Sequence, residues 1–201
     1  MWNTLPNKQT VTNAVTALTA NGFQVFTVEN GEEAKQKVLE LVPKQAEVMT
    51  MTSVTLDTLG ISKQINESGE YVSVKNSLMK LDRATQGVEM KKMGSAPQWS
   101  IGSVHAVTED GHVLIASASG SQLAGYVYGS SHVVWVVGTQ KIVKNVEQGM
   151  RRIEEYTLPL ESERAHKAYG VPGSSINKLL IVNKEMPGRI SIILVNEVLG
   201  F

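Results

Sequence analysis

Apolar positions in the first 75 residues of the chain alternate between helical and strand-like spacing. Between Val11 and Leu18 they recur on one helix face, which predicts a helix over residues 7–21 ending at Gly22. Short apolar runs predict three strands, and the segments between them predict two helices. The strands are 23–28, 48–51 and 71–74, and the helices 32–42 and 54–66. Parallel neighbours need crossover connections, so this order indicates a mostly parallel sheet.

The second half of the chain begins with a looser pattern. Residues 76–103 mix glycine, methionine and lysine, and we interpret them as a partly helical, mobile segment or boundary. Two strand-like runs, 103–108 and 112–117, flank Asp110-Gly111, a strong hairpin signal that predicts an antiparallel pair inserted into the parallel arrangement. The remaining pattern predicts helices at 121–128, 143–156 and 160–169 and strands at 132–138, 178–183 and 189–195. The prediction is therefore a single α/β domain over residues 1–201.

Composition narrows the functional classes. Nineteen basic and 19 acidic residues cancel, and the longest basic clusters, Lys91-Lys92 and Arg151-Arg152, are typical of solvated helix surface, which argues against a nucleic-acid partner. The absence of cysteine excludes disulfides, thiolate zinc sites and ordinary iron–sulfur ligation, and no cofactor is predicted. The N-terminus lacks the pattern of a signal peptide, and no apolar run approaches the roughly 20 residues of a membrane span. We therefore expect a cytoplasmic protein without a membrane partner.

The predicted hairpin carries candidate catalytic chemistry. If its loop has two residues, Glu109 pairs with His112, and a carboxylate beside an imidazole suits acid–base or nucleophilic catalysis. This register puts four residues on one face: His105, Val107, Leu114 and Ala116. The alternative is that polar residues flank a hairpin tip because it faces water. About 13 Å of strand separates His105 from Glu109, so no shared metal site is predicted.

A serine-rich loop is the second candidate site. Ser117–Gln122 leaves a strand and opens a helix, so Ser119, Gly120, Ser121 and Gln122 are predicted to gather around an anion. Ordinary helix capping is the alternative. The loop has neither a Walker sequence nor a dinucleotide fingerprint. Asn177 and Lys178, at a strand entrance, are candidates for a second wall of the site, with a solvated lysine as the alternative.

Three long stretches carry a resemblance to a known family. They are GSVHAVTEDGHVLIASASGSQLAGYVYGSSHVVWVVGTQKIV, GMRRIEEYTLPLESERA and SSINKLLIVNKEMPGRISIILVNEVLGF. Together they resemble a compact, stand-alone member of the LUD (lactate utilisation) family over nearly the whole chain. The resemblance implies a Rossmann-like α/β fold, predominantly parallel with an antiparallel hairpin, similar to ribose-5-phosphate isomerase A, glucosamine-6-phosphate deaminase and the CoA transferases.

The resemblance also implies a function. Some LUD proteins accompany iron–sulfur partners in the oxidation of L-lactate to pyruvate, which implies a role in lactate or related small organic acid metabolism. The Glu109-x-Gly111 element is similar in setting to the glutamate motif of class I CoA transferases, which makes Glu109 the candidate catalytic residue. We expect a small anionic metabolite, or its phosphate or CoA conjugate, to bind between the hairpin and the serine-rich loop.

Two alternatives to this function stay open. One is a non-catalytic accessory subunit for iron–sulfur redox proteins, attached through an apolar patch near residues 126–128 or 79–93. The other is an enzyme like the sugar-phosphate isomerases. Neither catalysis by the isolated chain nor homo-oligomerisation is decided by these residues.

Overall fold

Two β-sheets organise the computed structural model, which describes residues 2–201. The first sheet contains β1 (Gln24–Val28), β2 (Glu47–Thr50), β3 (Val72–Ser73), β4 (Trp99–Gly102), β7 (His132–Gly138) and β10 (Ile190–Val195). Its order is β1-β10-β7-β4-β2-β3, and all of its pairs are parallel. The predicted Rossmann-like, mostly parallel α/β architecture is thereby confirmed.

The second sheet is smaller and mixed. It contains β5 (Ala106–Thr108), β6 (Val113–Ser117), β8 (Ile142–Val143) and β9 (Lys178–Val182). Its order is β8-β5-β6-β9, and only the β5–β8 pair is parallel. The antiparallel hairpin therefore exists, but it belongs to this second sheet and not to the parallel one.

Helices connect the strands and cover the first sheet. They are α1 (Lys8–Ala20), α2 (Gly31–Leu41), α3 (Val54–Thr58), α4 (Ile61–Glu67), α5 (Val74–Leu78), α6 (Arg83–Ser95), α7 (Ser121–Ala124), α8 (Val146–Arg152) and α9 (Leu158–Tyr169). Single π-helical turns occupy Gly125–Gly129 and Ile153–Thr157, and a 3₁₀ turn occupies Thr139–Lys141. Asn7, Asn30 and Ser53 cap the N-termini of α1, α2 and α3 with their side chains, as these residue types favour.

The continuous apolar run of β7 is explained by burial on both faces. Trp135 belongs to a core cluster between the first sheet, the second sheet and α1, whereas Val134 and Val136 face the opposite cluster beneath α2–α4. Trp135 is fully buried, with its ring 5.4 Å from that of Tyr126 in an edge-on contact. A third core cluster lies between the second sheet and α8 and packs them together.

The hairpin register differs from the prediction by one residue. Val107 pairs with Val113, so the loop has three residues, Glu109–Gly111, and Thr108 opposes His112. Gly111 takes the left-handed conformation, with φ 88°, that such a loop requires. The predicted pairing of Glu109 with His112 is therefore wrong, and His112 lies nearer Asp110, with 3.8 Å between Nε2 and Oδ2.

This one-residue shift exchanges the two faces of the hairpin. Val107 shares the inner core with Val113 and Ile115. Leu114 and Ala116 face the outer cluster beneath α8, so the predicted common face of Val107 with these two residues is also wrong.

Other boundaries were also predicted incorrectly. The loose segment contains α6, which agrees with its predicted partly helical character, and the short strand β4, which was not predicted; at the last residue of β4, Gly102, a Cβ would lie 1.7 Å from Tyr126 Oη. The helix predicted over 54–66 divides at Gly60, whose φ is 65°. Val143 belongs to β8 and not to the helix predicted over 143–156, which begins only at Val146. The two C-terminal strands lie in different sheets, because β9 pairs with β6 while β10 enters the first sheet.

Candidate functional site

Glu109 is held in place at the hairpin loop. Asn13 Nδ2, on α1, donates to Glu109 Oε2 at 3.0 Å, and the Glu109 backbone N–H donates to the Val143 carbonyl at 2.9 Å. Asn21 Nδ2 donates to the Gly111 carbonyl at 3.0 Å on the other side of the loop. The tip of the hairpin is therefore anchored to α1 and β8, and Glu109 is a positioned carboxylate.

Glu109 lines an open cleft of about 380 Å³, a volume within the range of small-molecule sites. Lys144 and Arg151 line the same cleft and supply positive charge. Its apolar wall comprises Trp2, Leu5, Pro6, Ile142 and Val143. The cleft therefore combines a fixed carboxylate, two cations and apolar surface, a set suited to a small organic anion.

The serine-rich loop bonds largely to itself. The Gly120 N–H donates to Ser117 Oγ at 2.8 Å, and the Ser121 N–H donates to Ser119 Oγ at 3.2 Å. Ser117 Oγ in turn donates to Gln122 Oε1 at 2.9 Å. An anion in this loop would have to replace these internal hydrogen bonds.

Asn177 and Lys178 do lie against the serine-rich loop. Because Lys178 pairs with Ser117 across β9 and β6, both side chains reach the Ala118 carbonyl, with Asn177 Nδ2 at 3.2 Å and Lys178 Nζ at 3.5 Å. The structure thus brings the predicted loop and the predicted second wall together. It places Glu109 at the opposite end of β6, about 20 Å away at 3.3 Å per residue. A single small metabolite cannot contact both groups.

A buried polar triplet, Thr139–Lys141, lies directly after β7 and was missed by the sequence analysis. Its residues are 2%, 3% and 1% exposed. In open α/β sheets, ligands bind beyond the carboxyl ends of the strands, which is where this polar triplet lies. Lys141 Nζ donates to Thr55 Oγ1 at 3.3 Å, Ser103 Oγ at 3.1 Å and the Val104 carbonyl at 3.2 Å.

A second buried cation, Arg152, lies close to the polar triplet. Its Nη1 donates to the His105 carbonyl and to Thr157 Oγ1, whereas Nε and Nη2 have no hydrogen-bond partner within residues 2–201. Lys141 and Arg152 thus bind successive carbonyls, Val104 and His105, where the chain passes from the first sheet to the second. Within the described residues, no carboxylate forms an ion pair with either cation.

Burial shifts the pKa values of these groups strongly. Desolvation, with a smaller contribution from Arg152, lowers the pKa of Lys141 to about 7. Desolvation followed by the nearby Lys141 and Arg152 charges lowers the pKa of His105 to about 3. The neutral His105 ring accepts the Ala116 N–H at Nδ1, 3.0 Å away. Desolvation also lowers the pKa of Arg152 to about 10. Strongly shifted pKa values of buried groups cluster at functional sites.

The sequence contained no clear signal for this region. Lys141 lies between the apolar run of β7 and Ile142-Val143, but lysine is almost never fully buried, so its burial was not expected. The prediction that Arg151-Arg152 is solvated surface holds for Arg151, which pairs with Glu155 at 3.0 Å. It is wrong for Arg152, which is fully buried because it lies on the inner face of α8.

Two kinds of feature are absent from residues 2–201. No helix there combines the length and apolar character needed to cross a bilayer. No three histidine, aspartate or glutamate side chains there are grouped so as to hold a metal ion.

The parallel sheet, the mixed second sheet and the polar carboxyl edge define a Rossmann-like α/β protein. The family model of the LUD domain matches residues 11–195, and the chain therefore belongs to the LUD-domain family. It is also similar to a DUF162 family protein from Deinococcus radiodurans, whose crystal structure aligns with a TM-score of 0.60 and 11% sequence identity. That alignment covers 96% of this chain and 100% of the other, and it concerns the fold alone. No curated protein matches the chain.

Proposed function

We propose that this LUD-domain protein binds a small anionic metabolite, of the class of lactate and related organic acids, in the Glu109 cleft. The observation that carries this proposal is that Glu109, fixed by Asn13, shares one small-molecule-sized cleft with Lys144 and Arg151. The two cations attract the ligand's carboxylate, and the apolar wall accepts its carbon chain. Family membership agrees with a role in lactate or organic acid metabolism.

Glu109 is the candidate reactive or orienting carboxylate. A 2-hydroxy acid placed in the cleft can donate its hydroxyl hydrogen to Glu109, which is the contact a general base requires. Asn13 holds Oε2 at 3.0 Å and so restricts the rotation of the carboxylate. If the bound ligand is instead an acyl conjugate of CoA, the same carboxylate is available as a nucleophile.

The serine-rich loop is proposed as a separate phosphate-binding element for conjugated ligands. Ser119, Gly120, Ser121 and Gln122 would supply hydroxyl and amide donors, and Asn177 and Lys178, which already converge on Ala118, would complete the wall. About 20 Å separates this loop from Glu109, so phosphate and a small acid should bind independently.

Thermal-shift and calorimetric titrations test the proposal. L-lactate, pyruvate, acetyl-CoA and inorganic phosphate would be added to the wild type, to Glu109→Gln and to the exposed control Glu89→Gln. A ligand at about 100 times its Kd adds about 2.7 kcal/mol, or roughly 5 to 11 °C in Tm for a chain of this size. We expect an organic acid to shift the wild type and the control, and to shift Glu109→Gln much less. Equal shifts in all three proteins would refute the role of Glu109.

An accessory role is the second candidate, and one surface supports it. Tyr128 is 90% exposed on the π-helical turn after α7, beside the exposed Val127. Val88 is exposed on α6, which packs near that turn and buries none of its own side chains. Exposed apolar groups of this kind are typical of protein contact surfaces.

Sedimentation velocity tests this role. The chain would be run alone and with the iron–sulfur subunit of a lactate-oxidation system, using Tyr128→Ser as the surface variant. A complex that Tyr128→Ser weakens would support the accessory role, and a concentration-dependent dimer of the chain alone would show homo-oligomerisation. If the chain stays monomeric and does not bind the iron–sulfur subunit, the accessory role is contradicted.

A further inference from the structure

β9 is an outer strand of the second sheet, because β6 is the one strand that it pairs with in residues 2–201. Residues 179–182 of β9 are all apolar, and each keeps part of its surface exposed. Natural outer strands are protected from pairing with another chain by a charge, a proline or a bulge. None of these lies within 179–182, and the preceding Lys178 reaches back to the Ala118 carbonyl of its own chain. The outer edge of β9 is therefore unprotected.

Leu179 and Ile181 direct their backbone groups towards this outer edge. The Leu114 carbonyl accepts from the His105 N–H at 3.0 Å, and the Ala116 N–H donates to His105 Nδ1 at 3.0 Å, so both β6 residues face β5. Leu114 pairs with Ile181, and Ala116 pairs with Leu179. Opposed residues of an antiparallel pair either both face each other or both face away. The N–H and C=O groups of Leu179 and Ile181 thus face away from β6, and nothing in residues 2–201 bonds to them.

The other outer strands do not offer the same edge. β3 and β8 contain two residues each, and the Val143 carbonyl of β8 already accepts from the Glu109 N–H. β1 has five residues, but the polar Gln24 and Thr27 interrupt its apolar positions. The longest apolar run on an outer strand is therefore that of β9.

We propose that β9 pairs with β9 of a second copy of this chain, antiparallel and about a two-fold axis at Leu180. The two four-stranded sheets then join into one continuous sheet. In this register Leu179 opposes the partner's Ile181, and Ile181 opposes the partner's Leu179. Each of these opposed pairs exchanges both of its N–H···O bonds, so the outward groups of both residues are satisfied.

Charge favours this register and a second copy as the partner. With the axis at Leu180, Lys178 opposes the partner's Val182. An axis one residue later would oppose Lys178 with the partner's Lys184, and like charges directly opposite are destabilising. An axis one residue earlier would set the apolar Ile181 against the partner's Asn177. The chain has 19 basic and 19 acidic residues, so two copies do not repel each other through net charge.

Sedimentation velocity of the whole chain over a range of concentrations tests the proposal. We expect the wild type to dimerise and Leu179→Pro to raise the dissociation constant about tenfold or more, because each dimer loses two N–H donors. Proline is tolerated in an outer strand where the N–H faces solvent, so this variant should fold. Ile181→Lys adds the charge that protects natural outer strands, and it serves if Leu179→Pro does not fold. Val72→Lys, on the outer strand β3, is the matched control because Val72 is 50% exposed, and it should dimerise like the wild type.

Hydrogen exchange of single amides, followed by NMR, gives a second readout on the wild type. The Leu179 and Ile181 N–H groups should exchange slowly in the concentrated protein and fast after dilution, whereas the Leu180 N–H, which faces β6, should stay protected in both. A wild type that remains monomeric in the concentrated sample would overturn the proposal. It is also overturned if the dimer survives in both β9 variants, or if exchange at Leu179 and Ile181 does not depend on concentration.

Discussion

The serine-rich loop and the polar triplet are both polar, yet their surroundings differ. The loop is partly exposed, at Ser119 and Ser121, and its serines bond to one another and to Gln122. The polar triplet is buried beside Arg152, without a carboxylate among its hydrogen-bond partners. An unpaired charge in the interior is costly, and it interacts strongly with other charges. A charge in water is solvated, so it costs little and interacts weakly. Substitutions should therefore have large effects near the triplet and small ones in the loop.

The largest contrast is expected between adjacent arginines. Arg152→Ala should lower the free energy of unfolding by about 3 kcal/mol, because it opens a cavity and leaves the His105 carbonyl without its donor. Arg151→Ala removes an exposed pair with Glu155 and a cation of the Glu109 cleft, and should change the free energy of unfolding by less than about 0.5 kcal/mol. Urea denaturation measures both variants. Similar losses in the two variants would contradict the contrast between buried and exposed charge.

Lys141 should make stability depend on pH. Its pKa falls from 10.5 in the unfolded chain to about 7 in the folded protein, so between these values the unfolded state binds more protons. Stability should therefore rise from pH 7 towards pH 10.5, by up to about 1.4 kcal/mol per pH unit. The charged groups around Lys141 are Arg152, from α8, and, once protonated, His105, and both oppose its protonation.

Lys141→Met should remove this rise. In urea denaturation, the variant is expected to be most stable relative to the wild type at pH 7 and to lose that advantage progressively as the pH rises towards 10.5. Lys178→Met, at the exposed serine-rich loop, should give a curve parallel to that of the wild type. Parallel curves for Lys141→Met as well would show that Lys141 remains charged in the folded protein.

Smaller effects than those at Arg152 and Lys141 are expected within the serine-rich loop. Gly120→Ala should cost about 1–2 kcal/mol, because Gly120 has φ 86° and a Cβ there would lie 2.7 Å from Lys178 Cδ. Ser119→Ala should change stability by less than about 0.5 kcal/mol, since its hydroxyl is exposed. Thermal unfolding compares the two variants. A large loss in Ser119→Ala would mean that the loop is more rigid than its exposure implies.

Local patterns predicted most of the helices and most of the strands. The spacing from Val11 to Leu18 was sufficient to predict α1, and the apolar run was sufficient to predict β7. Each pattern arises from burial of the same element in which it lies. The hairpin register could not be predicted, because it depends on whether Gly111 makes a two-residue or a three-residue loop. The sequence also could not show that β9 and β10 lie in different sheets, since strand pairing joins residues far apart in the chain.

The candidate site was only partly predictable. Glu109 and the serine-rich loop stand out because polar residues cluster there, and the contact of Lys178 with the loop follows from strand pairing. Lys141 and Arg152 do not stand out, since each is a single charged residue whose burial depends on elements distant in sequence. Sequence patterns reveal clusters of polar residues, which are mostly at the surface, whereas electrostatic interactions are strongest between buried groups.

A crystal structure of the protein with L-lactate would test the central claim most directly. We predict that L-lactate lies in the Glu109 cleft, with its hydroxyl about 3 Å from the Glu109 carboxylate and its carboxylate facing Lys144 and Arg151. L-lactate bound instead at the serine-rich loop, against Ser119–Gln122 and Lys178, would contradict the account.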